Sequence, residues 1–313
     1  MAISAAWTFS DPDAYENAVR AAHVTGFVIH KRGQFGASLE RLNIGRVWTQ
    51  HGVERLPRSA HLAPDTRRSP IVFLDDEDVL PIVDSGLEVT GDRLVFYGAG
   101  ATTFQRTNGP TRWSSMSLSP EDLDEAGRVL LDKAVCAPGE TRTIRPRPEM
   151  LKALRVLHRR TNQIARDQPE VVSHPEIERA MEADLVLAMV RCLDGEVDPL
   201  PRRHYRHLVI IRQFREWLEP NCDRPVYLQE VCDALGVTAR TLRDCCQEHL
   251  GMGPIRYLWL RRMELARRAL RQASAGSATV TKIAMELGFW ELGRFSVSYR
   301  TLFGEHPSHT LGR

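Results

Sequence analysis

The last third of this chain carries one short pattern twice, and a repeated local pattern restricts a fold more tightly than any composition. Val231-Cys232-Asp233-Ala234-Leu235-Gly236-Val237 is answered by Ile283-Ala284-Met285-Glu286-Leu287-Gly288-Phe289, with the two glycines 52 residues apart. Each copy runs apolar, small, two free positions, Leu, Gly, apolar. A helix ending in Leu-Gly, a tight turn and a second helix is how a helix-turn-helix reads in sequence. The small residue (Cys232, Ala284) admits a closely crossing helix, and the glycine takes the left-handed conformation of the turn. One copy is a common accident; two, each followed by an amphipathic helix, describe a repeated unit.

The flanks agree. Thr238 stands at an N-cap position before a helix expected over Ala239 to Leu250, with Leu242, Cys245, Cys246 and Leu250 on one face. The second copy predicts a helix over Trp290 to Phe303, with Phe295, Tyr299 and Phe303 on one face. The first core residue lies six positions past the first glycine and seven past the second. Gly251 and Gly304 suit helix C-caps, and Pro254 and Pro307 follow each at a matching distance. Between the copies, Pro254 to Gln272 predicts one long helix. Its apolar stripe is Ile255, Leu258, Leu260, Met263, Leu265, Ala266 and Leu270, and Arg256, Arg261, Arg262, Arg267, Arg268 and Arg271 fill much of the rest. If each second helix enters a major groove, such a rod sets their separation near one duplex turn, about 34 Å.

Taken together, these residues make the region from Arg206 to Arg313 resemble the DNA-binding domain of the AraC/XylS family of bacterial transcription regulators. The resemblance rests on Leu235-Gly236-Val237, the junction Gly251 to Tyr257, Leu265 to Leu270 and Ile283 to Phe289, with Phe295, Tyr299, Phe303-Gly304 and Pro307-Ser308. The six-versus-seven offset also fits, and the match covers about a third of the chain. It implies a sequence-specific regulator, of the activating kind, that binds double-stranded promoter DNA and works with RNA polymerase. It further implies a small-molecule effector, a possible homodimer and no cofactor.

The resemblance places base-reading positions on Arg240, Arg243 and Asp244, within an exposed face that adds Thr238, Ala239, Thr241 and Gln247. Arginine suits guanine edges and phosphates, and Asp244 suits orienting an arginine or accepting from cytosine. In the second unit the matching positions are Leu292, Gly293, Arg294 and Val297, beside Trp290, Glu291 and Arg300. Here the chain departs from the usual pattern: Trp290 replaces a polar cap, and Gly293 and Val297 offer no hydrogen-bonding side chain. The alternatives are backbone contacts by Arg294 and Arg300, or thymine methyls met by Leu292. For any single arginine the plainer reading is a solvated or intramolecular pair.

Charge supports the division. The net charge of +2 hides 16 Lys+Arg against 11 Asp+Glu from residue 206 onward, and 26 against 29 before it. No apolar run approaches a membrane span, and Met1 to Ser10 lacks the basic-then-apolar order of a secretory signal. Cys136, Cys192, Cys222, Cys232, Cys245 and Cys246 show no CxxC spacing, which fits a reducing cytoplasm. The adjacent pair Cys245-Cys246 reads as small core residues ahead of a redox switch.

The fold class expected is α+β: an N-terminal antiparallel β region, barrel or sandwich, with helices, then an all-α double helix-turn-helix. Strand candidates are Gly26–His30, Arg46–Gln50, Ile71–Leu74, Leu87–Thr90, Arg93–Tyr97 and Trp113–Ser117, with Gly91-Asp92 as a hairpin turn. Ser119-Pro120 begins a helix. Helical patterns follow over Glu149–Arg166, His174–Cys192 and Arg203–Leu218. The expected units are 1–136, a β-rich ligand-sensing domain that the resemblance makes cupin-like; 146–200, a helical connector suited to dimerisation or to covering the barrel; and 206–313.

Enzyme signatures are missing from the pattern. There is no phosphate loop, nucleophile elbow or dinucleotide fingerprint. His30, His51 and His61 are too scattered for a metal motif, and His204 and His207 sit in a basic cluster. Phe96, Tyr97, Phe104 and Trp113 are candidates for a ligand pocket or plain barrel core, and on one strand only one of Phe96 and Tyr97 faces inward. Two other classes stay open: a cupin-like enzyme with a DNA-binding tail, and a ligand-independent architectural DNA binder.

Overall fold

The computed structural model describes residues 3–199, 202–221, 224, 226–273 and 278–311. Cys222 lies outside the described residues, as do the side chains of Arg202, Arg203 and His204. The strands are Ile3–Phe9 (β1), Ala22–Ile29 (β2), Ala37–Ile44 (β3), Val47–Glu54 (β4), Arg58–Pro64 (β5), Ser69–Leu74 (β6), Ile82–Asp84 (β7), Leu87–Val89 (β8), Leu94–Phe96 (β9), Thr103–Thr107 (β10), Thr111–Leu118 (β11), Arg142–Arg145 (β12) and Glu196–Val197 (β13). They form two antiparallel sheets, ordered β1-β3-β4-β11-β6-β9-β12-β13 and β2-β5-β10-β7-β8. The helices are Pro12–Ala18 (α1), Pro120–Leu131 (α2), Pro148–Asp167 (α3), Pro169–Val172 (α4), Pro175–Leu193 (α5), Arg202–Leu218 (α6), Leu228–Leu235 (α7), Ala239–Leu250 (α8), Pro254–Gln272 (α9), Val280–Glu286 (α10), Leu292–Phe303 (α11) and Pro307–Thr310 (α12). The fold is α+β, with the antiparallel sheets first and the all-α part last. Among the described residues no helix is long and apolar enough to cross a membrane.

Strand alternation explains how the layers stack. In the large sheet, Leu39, Val72, Leu74, Val95, Tyr97 and Trp113 point into the space between the sheets. The alternate residues Leu42, Ile44, Ile71, Phe73, Leu94, Phe96, Met116 and Leu118 point outward, onto Leu123 of α2, Leu151 and Leu154 of α3 and Leu185 and Met189 of α5. A sheet apolar on both faces must be covered on both, which is why these helices lie on it. The helices expected over 149–166 and 174–192 therefore bury their inner stripes within the chain. Thr49 donates to Asn162 at 3.2 Å, and Arg166 and Arg46 reach Glu40 and Glu182 at 2.7 Å each. Ile177 and Ala180 of α5 are exposed, and Val186 and Met189 are buried in its core-facing stripe.

The small sheet uses its outer face differently. Val28 and Phe104 leave the barrel and join the C-terminal core of Phe214, Leu242, Cys246, Tyr257, Met263 and Tyr299. α8 packs on β10, and α9 on β2.

Two expectations need correction. Gly91-Asp92 does not close a hairpin: β8 pairs with β7, whereas β9 pairs with β6 and β12. Leu94, Val95 and Phe96 are all buried, and such a strand belongs inside the large sheet. A Cβ on Gly91 would stand 2.5 Å from the Glu77 Cα, so this glycine serves a close backbone crossing. The second correction is α1, a helix standing among the strand candidates of the N-terminal region. Pro12 occupies its first turn and buries Tyr15 under it.

Candidate nucleic-acid interface

The two halves of the C-terminal domain are built alike, hydrogen bond by hydrogen bond. α7 ends at Gly236 with φ 63°, and α10 is followed by Gly288 with φ 75°. The amides past each glycine close the turn on the small residue: Val237 N donates to Cys232 O at 3.0 Å, and Phe289 N to Ala284 O at 2.9 Å. Cys232 and Ala284 are both buried. β-branched side chains at those glycines would be forced into a conformation that L-residues rarely adopt. Gly251 and Gly304, with φ of 71° and 79°, cap the second helix of each half.

α8 begins as expected: the Thr238 hydroxyl accepts from Thr241 N at 3.1 Å. Thr238→Ala is expected to cost about 1 kcal/mol in a denaturation titration. Leu242, Cys245, Cys246 and Leu250 are buried, leaving Arg240, Arg243, Asp244 and Gln247 exposed on the opposite face. None of those four side chains makes a hydrogen bond or ion pair to another described residue. Burial pushes the Cys246 thiol well above the ordinary range, so this sulfur stays protonated and unreactive at neutral pH.

α11 begins at Leu292, two residues later than expected. Glu291 has non-helical φ and ψ and makes no side-chain cap, and Trp290 lies before it, 68% exposed. The extra turn residue behind the six-versus-seven offset is what delays the helix. Phe295, Tyr299 and Leu302 are buried; Leu302 was not anticipated, and Phe303 is only half-buried. Gly293, Arg294, Val297 and Arg300 are exposed, and Leu292 is partly buried. Arg294 is engaged with Glu291 at 2.9 Å.

α9 carries the six arginines expected between its apolar positions. Most are used within the molecule: Arg256 lies over Trp259, Arg262 over Phe289 and Arg267 over Phe303, at 4.4, 5.2 and 5.0 Å from the ring centres. Arg268 pairs with Asp13 at 2.6 Å and Glu16 at 3.1 Å, and Arg271 with Asp11. The rod that joins the two halves is thereby latched to α1 of the N-terminal part. Near it Glu264 is buried, with Arg267 only at 4.0 Å. Burial raises its carboxyl to about 7, against the pull of Arg267.

The other side of α1 closes a cavity of about 40 Å³ between the sheets, lined by Tyr15, Phe27, Tyr97 and Trp113. Of the four expected aromatics, Tyr97 and Trp113 meet there. Phe96 and Phe104 do not, because strand alternation turns Phe96 toward the helices and Phe104 toward the C-terminal core. Sequence reasoning missed the polar floor. Arg58 Nε donates to Glu54 Oε2 at 2.8 Å, Tyr15 and Trp113 each donate to Glu54 Oε1 at 3.0 Å, and Arg58 Nη2 donates to Gln105 Oε1 at 2.7 Å. Tyr97 continues the chain, donating to Asp84 at 2.7 Å. Among the described residues no three His, Cys, Asp or Glu side chains gather as metal ligands. His61 is buried and His30 half-buried, and both are held neutral, lowered to about 3 first by desolvation and then by neighbouring arginines. His207 meets Glu248 at 2.6 Å.

A helix-turn-helix domain family matches residues 231–313. The XylDLEGF operon transcriptional activator of Pseudomonas putida is 35% identical over 96 residues, covering 31% of this chain and 30% of that protein. The probable thc operon regulatory protein of Rhodococcus erythropolis is 37% identical over 102 residues, covering 33% of this chain and 31% of its own. The chain thus spans about a third of the length of these curated relatives. A solved structure of a probable AraC family transcriptional regulator from Rhodopseudomonas palustris shares 33% identity over 33% of this chain and 94% of its own, with a TM-score of 0.31. With its two glycine-closed turns, capped second helices and connecting rod, the C-terminal third of this chain is similar to the helix-turn-helix part of these regulators.

Proposed function

We propose that this protein is an effector-responsive, sequence-specific transcription regulator, of the activating kind, that acts on double-stranded promoter DNA in the cytoplasm. One observation carries the reading: two helices of equal length turn polar or unpartnered faces outward from matched helix-turn-helix units joined by a single helix. At 1.5 Å per residue that 19-residue rod is about 28 Å long, close to one duplex turn. Arg240 and Arg243 lie on the exposed face of α8 with no internal partner, suited to bidentate guanine or phosphate contacts. RNA polymerase is the partner an activator requires, and the exposed Ile177 and Ala180 on α5 are where a second copy would pack.

The sensor reading follows from size. A cavity of about 40 Å³ holds about three waters, too few for an effector unless α1 lifts. Its walls are mainly apolar and its floor is a satisfied polar network, which favours a small, mainly apolar ligand with one polar end. Lifting α1 loosens Asp11, Asp13 and Glu16 from Arg268 and Arg271, so ligand and latch compete for the same helix.

Arg240→Ala is expected to weaken specific binding by about 1–3 kcal/mol in an anisotropy titration on a selected promoter fragment. An unchanged affinity removes Arg240 from the reading face. The double variant R268A/R271A is expected to make a reporter less dependent on effector. Unaltered induction would show that the latch transmits nothing.

A further inference from the structure

The two reading helices can be compared position by position. Both hold 12 residues, starting at Ala239 and at Leu292. This pairs Arg240 with Gly293, Asp244 with Val297 and Gln247 with Arg300. The first face is rich in hydrogen-bonding groups. The second keeps Arg300 and sets a half-buried Ser296 where Arg243 stands, but its exposed central positions are bare backbone and a valine that is 67% exposed. Arg294 is held by Glu291, whose carboxylate stands at the helix start, where a phosphate would otherwise be attracted.

Gly293 has no internal reason to be glycine. Nothing lies within 4 Å of a Cβ placed on it, and its φ is not in the left-handed region. Glycine is among the poorest helix formers, and no packing or turn inside the chain compensates here. A glycine without an internal neighbour suits close approach by a body from outside. Trp290 and Val297, both largely exposed, flank that approach. In the major groove the apolar group on offer is the thymine C5-methyl.

We propose, resting on the DNA-binding reading above, that the operator is chemically two-sided. α8 reads a guanine-bearing box through Arg240 and Arg243. One duplex turn away, α11 seats its Gly293 backbone against a thymine-rich box, with Val297 and Trp290 packed on the methyl groups. Specificity in the second half comes from apolar contact and shape, with Arg300 available to the phosphates.

The test begins with selection from a random duplex library using the full-length protein. The expected product is one guanine-bearing box and one thymine-rich box about 10 base pairs apart. Uracil in place of thymine in the second box is expected to weaken binding about fourfold per contacted methyl. The same change in the first box should have little effect, whereas 7-deazaguanine there should weaken binding. Gly293→Leu is expected to weaken binding at least about tenfold without lowering the denaturation midpoint, because the free protein has room for the side chain. Two guanine-bearing boxes of the same kind, or indifference to uracil, would overturn the proposal while leaving DNA binding intact. No enrichment of any sequence would sink the DNA-binding reading itself.

Discussion

Arg58→Met is expected to destabilise the protein by about 3–5 kcal/mol, read as a fall in the urea midpoint. The Glu54 and Arg58 side chains are 1% and 5% exposed and 2.8 Å apart. Removing the guanidinium leaves a carboxylate in the sandwich interior with only the Tyr15 hydroxyl and Trp113 indole as donors. Most of the loss is the cost of that stranded charge. The double variant E54Q/R58M, which keeps an acceptor for both donors, should therefore recover much of it. If R58M unfolds within about 1 kcal/mol of the parent, the network is not a stabilising floor.

The second large effect is a pH dependence at Glu264. Its folded-state value near 7 lies above the ordinary 4.5, so the folded protein holds this proton more tightly than the unfolded chain does. Below pH 4.5 both states are protonated and the group contributes nothing. As pH rises from 4.5 to 7 the unfolded chain ionises first, and stability falls by about 3 kcal/mol before levelling off. His30, His61 and His158, lowered to about 3, 3 and 4 by burial, slope the other way: their contribution is lost as pH falls below 6.5. Stability measured against pH for the parent and for Glu264→Gln separates the two, because the difference curve should drop across 4.5–7 and be flat above it. A flat difference curve throughout would mean that Glu264 ionises freely beside Asp13, Arg267 and Arg268.

The C-terminal third was legible because its signals are local. Gly236, Gly288 and Thr238 each act within a few residues, and Pro254–Gln272 was delimited correctly by its own proline and stripe. The latch was not legible. α1 has seven residues and no side-chain cap, and its carboxylates find Arg268 from 255 and 252 positions away, so each side alone looks like a solvated face. β5 was missed because it buries Arg58 and His61 and ends in Pro64, and polar residues facing a buried network erase the apolar alternation that marks a strand. The pocket was half legible. Period-two reasoning allowed one of Phe96 and Tyr97 to face inward, but which one depends on the faces that α3, α5 and the C-terminal core cover.

α9 serves two masters from separate sides. Its arginines Arg268 and Arg271 are engaged with Asp13, Glu16 and Asp11 of the N-terminal part, while its two ends carry the helix-turn-helix units. On the function proposed above, substitutions on one side retune what the protein listens for without rewriting where it lands, and the reverse also holds. If that function holds, a lineage built on this plan exchanges signals and target genes independently, one surface at a time.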